Sequence, residues 1–340
     1  MALNDALQRL AARPFHKGAA LSLGRADGSE QHFGAGDLDP ATPFFAASAT
    51  KLLVGALLLM LEQEGRLALS DPFRRFLTGP ETAGLARIGD RDHTDAITLR
   101  QLMAHTSGLP DYFQSDAAKD GLFAALTRGQ DRAWSFAEAM EITRRLGPLC
   151  PPGATRRARY SDSNYQILGQ VIETIEARPL AEVMARRLFA PLGLKQSWLY
   201  GDARDARPRL PRYREAALYI PRAMASFQAD GGLVTTTREA LALTRAIFAD
   251  RFFPAAALAQ LFDWRPMFFP LSYGTGLMRF ALPRLMTGFR RMPPMIGHSG
   301  LTGTAFFHAP DTGLTIAATV NQIARPGTVF RLMMRAAQAG

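Results

Sequence analysis

Ser48 and Lys51 stand three residues apart in ASATKLL, at the head of the apolar run LLVGALLLMLEQEG. On a helix, positions i and i+3 share a face, so a lysine nitrogen there can reach the serine hydroxyl. A helix N-terminus adds positive potential and free N–H groups. A lysine desolvated above an apolar helix becomes a better base, and a base beside a serine makes a nucleophile. The same residues also read as an N-cap serine followed by a snorkelling lysine. With 13 serines and four lysines in the chain, Ser-x-x-Lys is expected about 0.15 times by chance, so the motif alone does not decide.

Two further groups bear chemistry. In ATRRARYSDSNYQILGQVIE, Tyr160, Ser161 and Asp162 precede an amphipathic segment. A tyrosine in a polar turn can relay protons. It can equally pack, with Asp162 or Ser163 as a helix cap. In IGHSGLTGTAFF, His298 and Gly300 lead into a strand. Gly300 would let a backbone approach a ligand closely, and the Leu301 N–H at a strand edge could serve an oxyanion. The alternative is a tight turn with a solvated histidine.

Both groups need elements to hold them. A helix over about 3–12 precedes ALSLG and EQHFGAG, which flank a turn at Asp27-Gly28 and read as a β-hairpin. The Ser48 helix ends near Gly65. From there to about 230 the chain reads as mostly helical, through TLRQLMAHTSGLP, SNYQILGQVIETIEA and PLAEVMARRLFAPLG. REALALTRAIFA is a further helix, TGTAFFHAP and TGLTIAATVNQ form a hairpin, and TVFRLMMRAAQ closes as a helix with Thr328 at its N-cap. Strands at both ends predict a discontinuous α/β region over 1–65 and 235–340, with a mainly helical region over 66–234 and the site in the cleft between.

Composition excludes other classes. A single cysteine, Cys150, rules out an internal disulfide framework. The formal charge of +10 is nearly all scattered arginine, and its densest stretch, Arg204 to Arg214, is broken by prolines and acids. A nucleic-acid partner is not expected. No apolar run reaches a membrane span, and the start of the chain lacks the apolar core of a secretory signal, so a soluble cytoplasmic protein is expected. His16, His32, His93 and His308 are too scattered to suggest a metal site, and no cofactor is expected.

The order Ser48-x-x-Lys51, then Tyr160-Ser161-Asp162, then His298-Ser299-Gly300 resembles the serine β-lactamase and penicillin-binding superfamily, in its class C-like branch. LRQLMAHTSGLPDY, PLAEVMARRLFAPLGL, ADGGLVTTTREALAL and TVNQ extend the resemblance over roughly residues 15–338. It implies an α+β, β-lactamase-like fold: an antiparallel sheet flanked by helices, with an inserted helical region. It also implies a mechanism. Ser48 attacks an ester or amide carbonyl, helped by Lys51 or Tyr160. The N–H groups of Ser48 and Leu301 form the oxyanion hole, and an acyl-enzyme is hydrolysed with Tyr160 as relay. Tyr112, Asp162, His298 and Gly300 are the implied substrate-binding residues.

The sequence departs from the pattern at two of these. Asp162 stands where an asparagine is usual, which favours a charged Lys51 and removes an amide donor for an acylamino substrate. His298 replaces a lysine and offers less charge to a substrate carboxylate. Both point away from β-lactams and D-alanyl-D-alanine peptides, toward a carboxylesterase for small or short-acyl esters. A D-aminopeptidase, a carboxypeptidase or a β-lactamase is the alternative, and a catalytically idle binding module is the non-enzyme one. Trp264, Phe268, Phe269 and Tyr273 could line an apolar acyl pocket, or serve as packing. G-x-S-x-G is absent, so an α/β-hydrolase elbow is not expected.

Overall fold

A computed structural model describes residues 3–114, 121–287 and 292–339. Its centre is an eight-stranded antiparallel sheet. From one edge the strands run Arg265–Phe268, Leu271–Tyr273, Met278–Phe280, Met295–Gly300, Thr304–Ala309, Leu314–Thr319, Gly18–Gly24 and Glu30–Gly36. The two ends of the chain meet where Ala20 pairs with Thr319 and Gly24 with Thr315. The N-terminal hairpin closes as expected: Gly28 takes φ +88°, and the Asp27 carboxylate accepts from the Ser29 N–H at 2.9 Å.

Period-2 alternation assigns each strand residue to one of two cores. Phe307, Ile316 and Ala318 point to the layer where Leu7 and Leu10 of the Leu3–Ala11 helix meet Leu332 and Met333 of the Thr328–Ala339 helix. Phe306 and Ala317 point the other way, into the larger core that holds Leu241 of the Thr237–Phe248 helix. Gly18–Gly24 is covered on both sides and is buried throughout, while Glu30–Gly36 at the edge is largely open to solvent.

The Thr50–Gln63 helix runs through the larger core, with 11 of its 14 residues buried. A helix apolar on nearly every face belongs in an interior. It lies against the Asp162–Glu176 helix, whose Tyr165, Leu168 and Ile172 are also buried in that core. Gly65 takes φ +70° just past the helix end. Thr328 opens the last helix, and its hydroxyl meets His16 Nε2 at 3.4 Å. No helix is long and apolar enough to cross a membrane among the described residues.

Candidate active site

Ser48 does not cap the helix. It sits in a 3₁₀ turn, Ala47–Ala49, that runs straight into the helix at Thr50; Ala49 holds the cap position without a side-chain bond. The turn is anchored from several directions. Ala46 N–H donates to Leu233 O at 2.8 Å, Thr50 Oγ1 donates to Ala47 O at 2.7 Å, and Leu233 N–H donates to Thr50 Oγ1 at 3.0 Å. Thr302 Oγ1 donates to Phe45 O at 2.7 Å. These bonds hold Ala47 at φ +48°, a conformation a β-carbon disfavours by roughly 1 kcal/mol or more. The result presents the Ser48 hydroxyl at the helix head.

Lys51 is fully buried. Its nitrogen donates to Ser48 Oγ at 3.1 Å and to the Asp230 carbonyl, and it pairs by charge with Asp162 Oδ1 at 2.7 Å, which is outside hydrogen-bonding geometry. The rings of Tyr160 and Tyr165 lie 5.1 and 5.2 Å from the same nitrogen, centroid to atom. The Tyr160 hydroxyl is buried and makes no complete hydrogen bond. Burial, reinforced by the Asp162 charge, pushes its pKa well above the ordinary phenol value; the nearby Ser48 hydroxyl opposes that in part. Tyr160 is therefore a phenol in the resting site, not a phenolate.

Two more carboxylates surround this pair. Asp230 Oδ2 accepts from Tyr112 Oη at 2.8 Å and from Gln166 Nε2 at 3.1 Å, while its Oδ1 is buried without a partner. Trp134 Nε1–H donates to Tyr112 Oη at 3.1 Å behind them. Asp111 Oδ1 accepts from the Phe113 and Gln114 N–H groups at 2.9 and 3.2 Å. Burial, then repulsion from Asp162, pushes the Asp111 carboxyl up to about 8. The same two causes hold Asp230 well above the usual carboxylate range. Neither residue was singled out in the sequence, because one carboxylate becomes informative only when the fold sets it beside another.

His105, also unassigned from sequence, braces the Tyr160 segment. It takes φ +54°, and its Nδ1 accepts from Ser161 N–H at 3.1 Å, which leaves the proton on Nε2. Its ring lies 4.4 Å from that of Tyr160, and burial holds it neutral. Ser161 and Ser163 each donate to Pro110 O, at 2.8 and 2.7 Å, so neither caps the helix that starts at Asp162.

Three of the expected substrate-binding residues are committed to the protein's own packing. His298 is fully buried, with Nδ1 bonded to Ser299 O and Nε2 to Tyr273 Oη, both at 2.8 Å. Burial lowers its pKa to about 3, so it is neutral and has no nitrogen left for a ligand. Tyr112 is equally buried and spends its hydroxyl on Asp230 and Trp134. Gly300 does permit a close approach, but by the chain itself: a β-carbon there would sit 2.1 Å from Ala46 O. Nor do the four aromatics form an acyl pocket. Phe268 and Phe269 are exposed, Trp264 stacks on Phe262, and Tyr273 is sealed against His298.

Ser48, Asp162, Asp230 and Leu301 do share a cleft, whose apolar walls include Phe113, Leu126, Met224 and Phe227. Its empty space, counting the part open to solvent, is about 440 Å³. The cleft is narrow. Leu301 N–H, just past the Met295–Gly300 strand, has no acceptor among the described residues. Ser48 stands in a first helical turn, where N–H groups lack intrahelical acceptors. Two donors of this kind beside one hydroxyl can stabilise an oxyanion. No group of three or more His, Cys, Asp or Glu is arranged to hold a metal among the described residues.

The family model Beta-lactamase matches residues 4–339. Penicillin-binding protein 4 of Amycolatopsis lactamdurans is 28% identical over 154 residues, 45% of this chain and 35% of that protein. The curated relatives first matched align over 34% to 46% of their own lengths. The D-amino acid amidase of Ochrobactrum anthropi SV3 superposes with a TM-score of 0.81 over 100% of both chains at 22% identity. EstCE1, a hydrolase with promiscuous acyltransferase activity, superposes with 0.79 over 99% of this chain and 98% of that one at 17% identity. At such identities these two structures speak to the fold.

Proposed function

The chain belongs to the beta-lactamase family; on that premise we propose that it is a serine hydrolase, that Ser48 is its nucleophile and that it cleaves small or short-acyl esters through an acyl-enzyme. The observation that carries this reading is the set of contacts Lys51 makes, which ties Ser48 Oγ to a buried ion pair at the mouth of the cleft. Lys51 is positioned to take the Ser48 proton once it has passed one of its own to Asp162, 2.7 Å away. Asp162 then acts as the proton store that an asparagine cannot be. The attacked carbonyl oxygen collects its charge between the N–H groups of Ser48 and Leu301. As the tetrahedral species collapses, the Tyr160 phenol protonates the leaving oxygen and is refilled through Lys51. One proton thus travels from Ser48 to the leaving group. Water repeats the sequence in reverse order to release the acid.

Substrate charge supports an ester over a β-lactam or a peptide with a free carboxylate. His298 is neutral and sealed off, and Lys51 is already paired with Asp162. Among the described residues of the site no unpaired cation is left to receive a substrate carboxylate. The narrow cleft favours a short acyl group. Turnover of p-nitrophenyl acetate and butyrate tests the reading: saturable hydrolysis by the wild type, reduced to background in Ser48→Ala, is the expected result. Equal hydrolysis by both proteins removes Ser48 from the reaction.

A further inference from the structure

The first and last helices, Leu3–Ala11 and Thr328–Ala339, pack together on the face of the sheet opposite the core that holds the Ser48 helix. A groove runs between them, with about 720 Å³ of empty space counting the part open to solvent. Its floor is apolar: Leu10 from one helix and Leu332 from the other, both buried. Its rims are basic. Arg9 and Arg13 stand on one side, Arg331 and Arg335 on the other, each pair one helical turn apart and all four exposed.

These arginines lack acids. None of the four makes an ion pair among the described residues, not even with Asp5, one turn before Arg9. The one bond from any of their guanidinium groups runs from Arg331 Nη2 to Thr328 Oγ1, at 3.4 Å. Elsewhere, arginines that gather share a carboxylate: Arg66, Arg186 and Arg187 converge on Glu176. Like charges at i and i+4 weaken a helix, and here two such pairs also face each other across one space. Arginines on a polar helix face often just fan into solvent over their own stems. A concave groove with a basic rim on both sides is a different arrangement. His16, beside the groove through Thr328, registers its field. Burial, then the charges of Arg325, Arg13 and Arg331, holds the His16 pKa below its ordinary value, and its Nδ1 is buried without a partner.

We propose that this groove binds a small molecule carrying two or more clustered phosphate groups, held by arginines of both helices. A guanidinium fork matches two phosphate oxygens at once, and clustered phosphates supply the charge that four arginines leave unbalanced. The concave shape suits a compact molecule better than a bilayer. The large exposed apolar residues that would enter a membrane, Phe268, Phe269, Leu285 and Met286, lie outside both helices. A bound ligand ties the first helix to the last, over strands Gly18–Gly24 and Leu314–Thr319 that join the two ends of the chain. Occupancy therefore stabilises the fold from a site separate from the Ser48 cleft.

Calorimetric titration with inorganic phosphate, pyrophosphate and tripolyphosphate at one ionic strength tests the proposal. Affinity should rise by at least about tenfold from phosphate to tripolyphosphate. The melting temperature should climb with tripolyphosphate concentration, as for any ligand of the folded state alone. Arg331→Gln with Arg335→Gln, and separately Arg9→Gln with Arg13→Gln, should each weaken tripolyphosphate binding by at least about tenfold. Arg91→Gln with Arg251→Gln removes the same charge at exposed positions outside the groove and should weaken it by less than about threefold. The wild-type anion series needs no variant, so a folding defect cannot imitate its result. Absence of tripolyphosphate binding, or equal affinity for the three anions, overturns the proposal. So does an equal loss in the control pair, which would leave only the pull of the overall +10 charge. Binding to phosphatidylglycerol vesicles without binding to tripolyphosphate overturns it as well, and makes this face a membrane contact.

Discussion

Asp162→Asn is the substitution that most sharply separates two roles for Lys51. Asp162 Oδ1 lies 2.7 Å from the Lys51 nitrogen, both side chains being nearly solvent-free. At an effective dielectric of about 20 the gross attraction at that distance is about 6 kcal/mol, and removing one partner of a buried pair typically costs about 3–5 kcal/mol of stability. The asparagine keeps the shape, and the Asp230 carbonyl and Ser48 Oγ still accept from Lys51, so the lower end, about 3 kcal/mol, is expected. The kinetic consequence follows from the proton path. On the proposed path Lys51 hands its proton to Asp162, and the wild-type rate should hold through neutral pH. In the variant that proton must go to solvent before Lys51 can serve Ser48. At pH 7 kcat/KM for p-nitrophenyl acetate should fall by about 10²- to 10⁴-fold, and log kcat/KM should climb with unit slope toward alkaline pH. Initial-rate profiles from pH 5 to 10, beside thermal melts of the same samples, read both effects. A variant within about threefold of the wild type, with an unchanged profile, would show that Asp162 stores no proton and that Lys51 acts only as a fixed charge.

Tyr160→Phe removes the phenol next to Ser48 and Lys51; kcat should drop by about 10²- to 10³-fold with KM little changed, as steady-state kinetics will read. Gly300→Ala sets a β-carbon 2.1 Å from Ala46 O, which must push the Ser48 turn away from Leu301; a loss of about 1–3 kcal/mol in a denaturant titration and slower acylation of Ser48 are expected together. Asp111 has its folded-state carboxyl raised to about 8, so the folded protein binds the proton more tightly than the unfolded chain does. Its contribution to stability is full below about pH 4 and is lost as pH rises toward about 8. Asp111→Asn should flatten that part of the melting-temperature profile; an identical slope in both proteins would contradict the burial of this carboxyl.

Local signals carried much of the architecture. The Asp27-Gly28 turn, the alternation of the C-terminal hairpin and the apolar run after Ser48 each report on residues close in sequence, and each element formed where expected. The fold class followed from the order of three short motifs, and the family match supports it. What stayed hidden depends on contacts across the chain. Asp230 matters because its carbonyl reaches Lys51 from 179 positions away, and His105 because Ser161 N–H reaches its ring from 56 positions away. No spacing rule encodes either. The corrections share one cause. Tyr112 and His298 are polar residues near the site in sequence motifs, but each has its polar atoms committed to buried partners, which only three-dimensional packing reveals. Gly300 is expected from sequence to admit a ligand; the group that approaches it is Ala46 O. Phe268 and Phe269 read as pocket lining or as packing; Phe268 ends the edge strand, Phe269 follows it in a turn, and both face solvent.

The central claim is that Ser48 forms a covalent acyl-enzyme, and intact-protein mass spectrometry reads it directly. After incubation with a fluorophosphonate, the wild type should gain one adduct mass, mapped by peptide digestion to the segment that contains Ser48, and Ser48→Ala should gain none. An unmodified wild type, or an adduct that persists in Ser48→Ala, would contradict the account.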